Sequence, residues 1–568
     1  MLATFLCAAP LLAAPAHALG SLPDSIALRE ALRHEARASA GSVVPLPLPE
    51  APEASAASAS RELTSIARNH GHERVLVGAR AHGDVAGIAA ALRRLGAQPE
   101  VFGSIGVVAA DVPSGAALAA RLRRDPRVAY IERDRELRVA FDPFDVLDPQ
   151  TGVKFTWAYD GVHAAEALAA AGGGSGRTIA VIDTGLDVRH PEFAGRIALT
   201  FDTDSGGADV TDFVGHGTFV TGLIAAVDGN GIGGKGVAGN TRVIAVRSST
   251  SGNFTVADLI RGLRFSVARG ADVVNLSLSG EVFTRSQARA LRGAFINDVL
   301  PVAASGNHGL DGNPLEFPAA ALGGRRGGRG IGLSVSATRP DGSFGTFSTH
   351  NQFVSVAAPG AGPSGCEFGV FSTLPAGATD WDNPDQSCSR PVVHGGARYA
   401  YGEGTSFSAP IAAGIAALAW QVEPRLASEQ VADVMTRSAQ QTVGKGWNEF
   451  TGAGIVDGAA ATALARTYDV TAPRVRAKAT RHDGVVAVRI RRSKDRTERG
   501  RERAGHLTYG LLVSRDGGRK FSTVVSQRGR PFSRTIAIRG RRPNLVVATV
   551  SDGNGNVGIK RLGRFRAG

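Results

Sequence analysis

The chain has 568 residues, of which 43% are apolar and 20% charged, with three cysteines and a formal net charge of +13. That apolar share excludes a wholly disordered chain, and the length accommodates about two to four globular domains. No segment beyond the N-terminus reaches the roughly eighteen consecutive apolar residues of a membrane span, so a soluble protein without a membrane span is expected.

The apolar run Phe5 to Ala14, closed by Ala16-His17-Ala18, fits the core and small-x-small cleavage site of a secretory signal over residues 1–18, although no Lys or Arg precedes it. A secreted, extracellular protein is expected. Cys7 would leave with the signal, and Cys366 and Cys388 would then meet an oxidising compartment as one disulfide or as two unpaired thiols. Two cysteines without histidines at suitable spacing cannot complete a tetrahedral zinc shell.

Residues 19–72, rich in Ala, Ser, Pro and Glu, read as a low-complexity spacer. From residue 73 the texture changes: strands are expected over 74–78, 105–109 and 128–132 and helices over 84–96 and 116–124, a small α+β domain spanning 73–140. Over 141–467 helical segments alternate with uninterrupted apolar strands such as Thr178 to Ile182, Arg242 to Val246 and Val273 to Leu276. Such strands imply a mostly parallel sheet covered on both faces, a three-layer α/β/α domain. Period-2 segments at 485–490 and 545–550, with glycine turns at 516–518 and 552–555, predict a small all-β sandwich over 468–568. The basic character is concentrated there: from Thr471 onward there are about 25 Lys and Arg against about 6 Asp and Glu.

Four segments of the α/β domain carry residue types that chemistry requires. Asp183-Thr184-Gly185 ends the first apolar strand, where open α/β sheets gather their ligands. Asp-Thr-Gly is also the aspartic-protease signature, but that chemistry needs a second copy, which the chain lacks. Gly215-His216-Gly217-Thr218 opens a small-residue helix. Ser305-Gly306-Asn307 ends an apolar strand in a glycine turn. Gly404-Thr405-Ser406-Phe407-Ser408-Ala409-Pro410 places a serine where a glycine turn opens an apolar helix. Together they offer a nucleophile (Ser406), a general base and acid (His216), a carboxylate to orient it (Asp183) and an amide donor for an oxyanion (Asn307).

Through these motifs, in the order Asp, His, Ser, residues from about 153 to 467 resemble the subtilisin-like (S8) serine endopeptidases. The resemblance implies a serine endopeptidase that forms an acyl-enzyme on Ser406, acts on polypeptide substrates and needs no cofactor for catalysis; a monomer is expected. It implies a substrate-pairing edge and P1 pocket walled by Ser277, Leu278 and Ser279 on one side and Ala303, Ala304 and Ser305 on the other. The family usually has glycine at the position of Ser279, so a narrowed pocket rim is expected. It often has glutamate at the position of His308, so a medium apolar P1 residue such as Leu or Met is expected. Phe219, Phe407 and Ile411 replace more polar or softer family residues, which implies repacking of a buried helix face.

The resemblance further implies a structural Ca²⁺ with Asp187 and Asn230 among its ligands. It also casts residues 73–140 as an inhibitory propeptide whose last strand, 135–140, enters the substrate groove and is cleaved near Val139-Ala140-Phe141. A Cys366–Cys388 disulfide would staple the polar insertion before the nucleophile, worth roughly 3 kcal/mol by the chain-entropy relation. Two other readings of the whole chain are an idle binding protein on the same scaffold, and a protein whose main role is contact of the basic C-terminal module with an anionic cell-wall polymer or other polyanion.

Overall fold

The computed structural model describes residues 72–102, 107–113, 122, 124–133, 156–172, 176–363, 368–382, 391–442, 446–495, 497–502, 504–515, 521–540 and 542–566. The expected signal, spacer, propeptide cleavage site, Cys366, Cys388, the 516–518 turn and most of the expected helix over 116–124 lie outside the described residues.

The chain divides into two compact units. One spans residues 41–139 and the other holds 140–568. In the first, strands β1 (His72–Ala79), β2 (Pro99–Phe102), β3 (Val107–Pro113) and β4 (Val128–Arg133) form an antiparallel sheet in the order β2-β3-β1-β4. Helix α1 (Val85–Arg93) buries Val85, Ile88, Ala89 and Leu92, the spacing of one helix face, against Val75, Val77 and Val108. The short strand β2 was not expected, because four residues beginning with proline carry too little alternation to read as a strand.

The second unit is built on a seven-stranded sheet with every neighbouring pair parallel. Its strands are β5 (Thr178–Asp183), β6 (Ile197–Asp202), β7 (Arg242–Arg247), β8 (Val273–Leu276), β9 (Leu300–Ala304), β10 (Leu333–Thr338) and β11 (Val356–Pro359), in the order β11-β10-β9-β8-β5-β7-β6. Alternate residues of β5 divide between two cores. Ile179 and Val181 join the core shared with helices α2 (His216–Ala225) and α3 (Thr405–Val422), while Ala180 and Ile182 pack beneath helices 256–268 and 285–296. Both sheet faces are thus covered, which is why the strands read as continuous apolar runs. The chain lays β6 and β7 on one side of β5 and β8 to β11 on the other. The order therefore reverses at β5, and Asp183 sits at its carboxyl end, where such folds form their clefts.

Helix α3 is the only described helix long and apolar enough to cross a membrane, and 83% of that stretch is buried inside the fold. It is a core helix.

The C-terminal strands make two antiparallel sheets that share one core. Val486, Val488 and Ile490 from the three-stranded sheet meet Tyr509, Leu511, Val546, Ala548 and Val550 from the four-stranded one, as a sandwich requires. This sandwich is knitted to the α/β layer within the same unit. Gln430 Nε2 donates to the Asn554 carbonyl at 3.0 Å, and Arg501 donates to the Tyr468 carbonyl at 2.6 Å and pairs with Glu423 and Glu498.

Candidate active site

One strand end and two helix starts converge at the carboxyl edge of the parallel sheet. Asp183 ends β5 and is 1% exposed. Its Oδ1 accepts the backbone N–H of Thr184 at 2.8 Å and lies 2.7 Å from His216 Nδ1. That contact assigns the Nδ1 proton to the Asp183 side and leaves Nε2 as the free base of a neutral ring. Burial acts to lower the His216 pKa, but the Asp183 carboxylate, with a smaller contribution from Asp212, outweighs it and holds the imidazole above its ordinary value.

His216 is the first residue of α2, and the glycine after it has a steric reason. A Cβ on Gly217 would stand 2.2 Å from the Gly185 carbonyl oxygen, so the helix start packs directly on the turn after β5. Asp212, which the sequence reading did not single out, organises this junction. Its carboxylate accepts the Thr184 hydroxyl, the Gly215 N–H and both the N–H and hydroxyl of Thr218, all between 2.7 and 2.9 Å. The available signal was an aspartate just before a helix start, the usual setting of a capping acid.

Ser406 is the second residue of α3, in the positive end of the helix dipole. The His216 and Phe407 rings are 5.7 Å apart, which sets the imidazole beside the Ser406–Phe407 turn. The Ser406 hydroxyl donates to the Ser277 carbonyl at 3.4 Å, and no hydrogen bond joins it to His216 among the described residues. Serine–histidine contacts of this kind are commonly loose without substrate. Ser277 in turn donates from its own hydroxyl to the Ser406 carbonyl at 2.6 Å and accepts from Asn275 Nδ2 at 2.9 Å.

Asn307 follows β9. Its side-chain oxygen accepts both the N–H and the hydroxyl of Thr405 at 2.9 Å, which turns its amide nitrogen toward Gly404. Asn307 is exposed, as is Ser279, whereas Leu278 is half-buried and Ser277, Ala303, Ala304 and Ser305 are buried. Phe219, Phe407 and Ile411 are buried, and the two phenylalanine rings lie 4.4 Å apart. Trp381, from the segment before α3, stacks on Phe219 at 4.7 Å. Phe219 and Phe407 therefore pack against each other, and Ile411 lies in the same core.

Asp187 and Asn230 have separate partners. The Asp187 carboxylate accepts the N–H groups of Arg189 and Ala376, while Asn230 donates to Glu192 at 2.7 Å and accepts from its own loop at Ile232. A distinct acidic group gathers at the sandwich, where Asp469, Asp495 and Asp552 bring carboxylate oxygens within 4.8 Å of one another. Burial, opposed by hydrogen bonds from Asn556 and reinforced by the neighbouring acids, raises Asp552 to about 7.

A family model described as the subtilase family matches residues 174–454. Among curated relatives, the thermophilic serine proteinase of Bacillus sp. (strain AK1) is 30% identical over 323 residues, 56% of this chain and 70% of that protein. Alkaline elastase YaB of Bacillus sp. (strain YaB) is 31% identical over 342 residues, 60% of this chain and 76% of its own. A protein named minor extracellular protease Epr, of Bacillus subtilis, is 28% identical over 340 residues, covering 59% of this chain and 46% of that one. With its parallel sheet and these matches, the chain belongs to the subtilase family and is a subtilisin-like serine endopeptidase.

Proposed function

We propose that Ser406 is the nucleophile of this endopeptidase, His216 its general base and acid, Asp183 the group that orients His216, and Asn307 an oxyanion donor. The observation that carries the assignment is the chain of contacts from Asp183 Oδ1 to His216 Nδ1 at 2.7 Å, with the imidazole beside the Ser406–Phe407 turn.

In the acylation step the Ser406 oxygen bonds to the scissile carbonyl carbon and its proton passes to His216 Nε2. The oxyanion accepts from Asn307 Nδ2 and the Ser406 N–H. Collapse breaks the C–N bond, the His216 proton goes to the leaving amine, and water activated by the same imidazole releases the acyl group. Incubation with casein tests this. The wild type degrades it and Ser406→Ala does not, while a serine-directed phosphonate labels the wild type alone; casein hydrolysis retained in Ser406→Ala would sink the assignment.

The same reading extends to the flanks: export by residues 1–18, a spacer over 19–72, an inhibitory propeptide over 73–140, the peptidase domain over 141–467, and a Cys366–Cys388 disulfide. Export is supported by the apolar leader and by a relative named as extracellular. Self-processing predicts that Ser406→Ala accumulates as the unprocessed chain. A thiol count on the denatured mature enzyme tests the disulfide.

Structural Ca²⁺ is proposed at Asp187 and Asn230, as the family resemblance implies; Asp469, Asp495 and Asp552 form a separate acidic group, whose Asp469 and Asp552 carboxylates already accept hydrogen bonds from Thr471, Thr497, Asn554 and Asn556. A chelator should lower the melting temperature and added Ca²⁺ restore it. The basic sandwich is proposed to contact an anionic polymer through a recess of about 350 Å³ lined by Lys478, Arg489, Arg491 and Arg534. Salt-sensitive retention on heparin checks that contact.

A further inference from the structure

The two segments proposed as walls of the P1 pocket meet at a carboxylate that no sequence motif singled out. Glu316 is 1% exposed. Its Oε1 accepts the Ser279 hydroxyl at 2.7 Å and lies 3.2 Å from His308 Nδ1, and its Oε2 accepts the Thr349 hydroxyl. A Cβ built on Gly306 would fall 1.7 Å from Oε2, so the backbone just before Asn307 rests directly on the carboxylate. The chain beside it is pinned as well, because Gly280 and Phe317 exchange two backbone hydrogen bonds at 3.0 and 2.8 Å. Glu316 therefore lies between residues 277–280 and 302–307.

A carboxylate removed from water needs a counter-charge as well as hydrogen bonds. Ser279 and Thr349 supply neutral donors. Among the described residues the only cationic partner is the imidazole of His308, itself half exposed and charged only when protonated. Ser279 and His308 are both exposed, so the carboxylate stands one side chain beneath the surface of the site. An apolar P1 side chain would seal it from water without adding charge, which is costly. A guanidinium or ammonium group would bring permanent charge and charge-assisted hydrogen bonds.

We propose that Glu316 is the specificity-determining residue of the P1 pocket and selects substrates with Arg or Lys at P1, whose cationic head pairs with this carboxylate and the Ser279 hydroxyl. The inference rests on the assignment of Ser406 and its pocket given above. It differs from the apolar expectation, which rested on positions 279 and 308, and the peptide set below decides between them. On this reading Ser279 contributes a hydroxyl to the recognition of charge.

The test is a set of chromogenic tetrapeptides that differ only in P1, with Arg, Lys, Leu or Phe, hydrolysed by the mature enzyme and by Glu316→Gln. The wild type should favour Arg or Lys over Leu in kcat/KM by about 30-fold or more. Glu316→Gln should lose most of that ratio while still cleaving the Leu peptide, a change that a merely structural role would not produce. Benzamidine should compete with substrate in the wild type. A wild type that prefers Leu or Phe, or a Glu316→Gln enzyme that keeps the Arg ratio, overturns the proposal. If Glu316→Gln does not fold, the wild-type ratio and benzamidine inhibition decide it. Ser406-dependent cleavage after Leu without preference for Arg defeats this inference alone, whereas no cleavage of any peptide and no phosphonate labelling of Ser406 defeats the underlying assignment too.

Discussion

The side-chain oxygen of Asn307 lies 2.9 Å from both the backbone nitrogen and the hydroxyl of Thr405, the residue immediately before the proposed nucleophile. The amide cannot rotate without losing both bonds, so its nitrogen is committed to the side of Gly404 and Ser406 before substrate arrives. Preorganised donors cost no rearrangement when charge develops on the substrate oxygen. Asn307→Ala should lower kcat by about 100- to 1,000-fold with KM little changed. Thr405→Val keeps the backbone bond, loses the hydroxyl bond and should give an intermediate loss. Steady-state kinetics on one peptide substrate would reveal an equal loss in both variants, which would contradict this division of labour.

The His216–Asp183 contact is expected to set the pH dependence of activity. Burial opposes protonation of His216 and the Asp183 carboxylate favours it, and the carboxylate prevails. A general base works when neutral, so kcat/KM should fall as pH drops through a pKa above the ordinary histidine value of about 6.5. Asp183→Asn removes the favouring charge. The acid limb should then move to lower pH, and kcat should fall by about 10,000-fold. A limb that stays in place in Asp183→Asn would show that another group governs it.

Gly217 is held against the Gly185 carbonyl with no room for a side chain. Gly217→Ala should force α2 away from the end of β5 and carry His216 with it. A displacement near 1 Å at the reacting groups costs about 100-fold in rate. The measurement is kcat with circular dichroism on the same sample. Full activity in a folded Gly217→Ala enzyme would show that the helix start tolerates the shift.

Arg501 ties the sandwich to the α/β layer through Glu423, is held on its own side by Glu498 and the Tyr468 carbonyl, and is itself only 14% exposed. Burial tends to raise the Glu423 pKa, but hydrogen bonds and charge from Arg425 and Arg501 depress it below its ordinary value. A depressed carboxylate contributes stability that is present above its unfolded pKa and is lost as pH falls through the folded one. Arg501→Ala should cost about 2 kcal/mol at neutral pH, reduced by the Arg425 contact that remains. The loss should shrink once pH falls below the carboxylate range. Thermal melts of both proteins across pH 3 to 7, roughly spanning that range, provide the comparison.

The sequence alone determined the parallel α/β architecture, the antiparallel C-terminal sandwich and the family. The reason is local: apolar runs bounded by glycine turns announce strands buried on both faces, and each of Asp183, His216, Asn307 and Ser406 stands at a strand end or helix start within its own short motif. The same locality hid Asp212, which was visible only as an acid before a helix, and Glu316, which sits in no motif. Tertiary structure alone decided that Glu316 reaches Ser279, His308 and Thr349, that Trp381 stacks on Phe219, and that Asn230 faces Glu192. Apart from the Glu316–His308 pair, those contacts join residues tens to more than a hundred positions apart. A side chain's partner across such a separation is fixed by how layers pack, and periodicity and spacing along one segment carry no record of it.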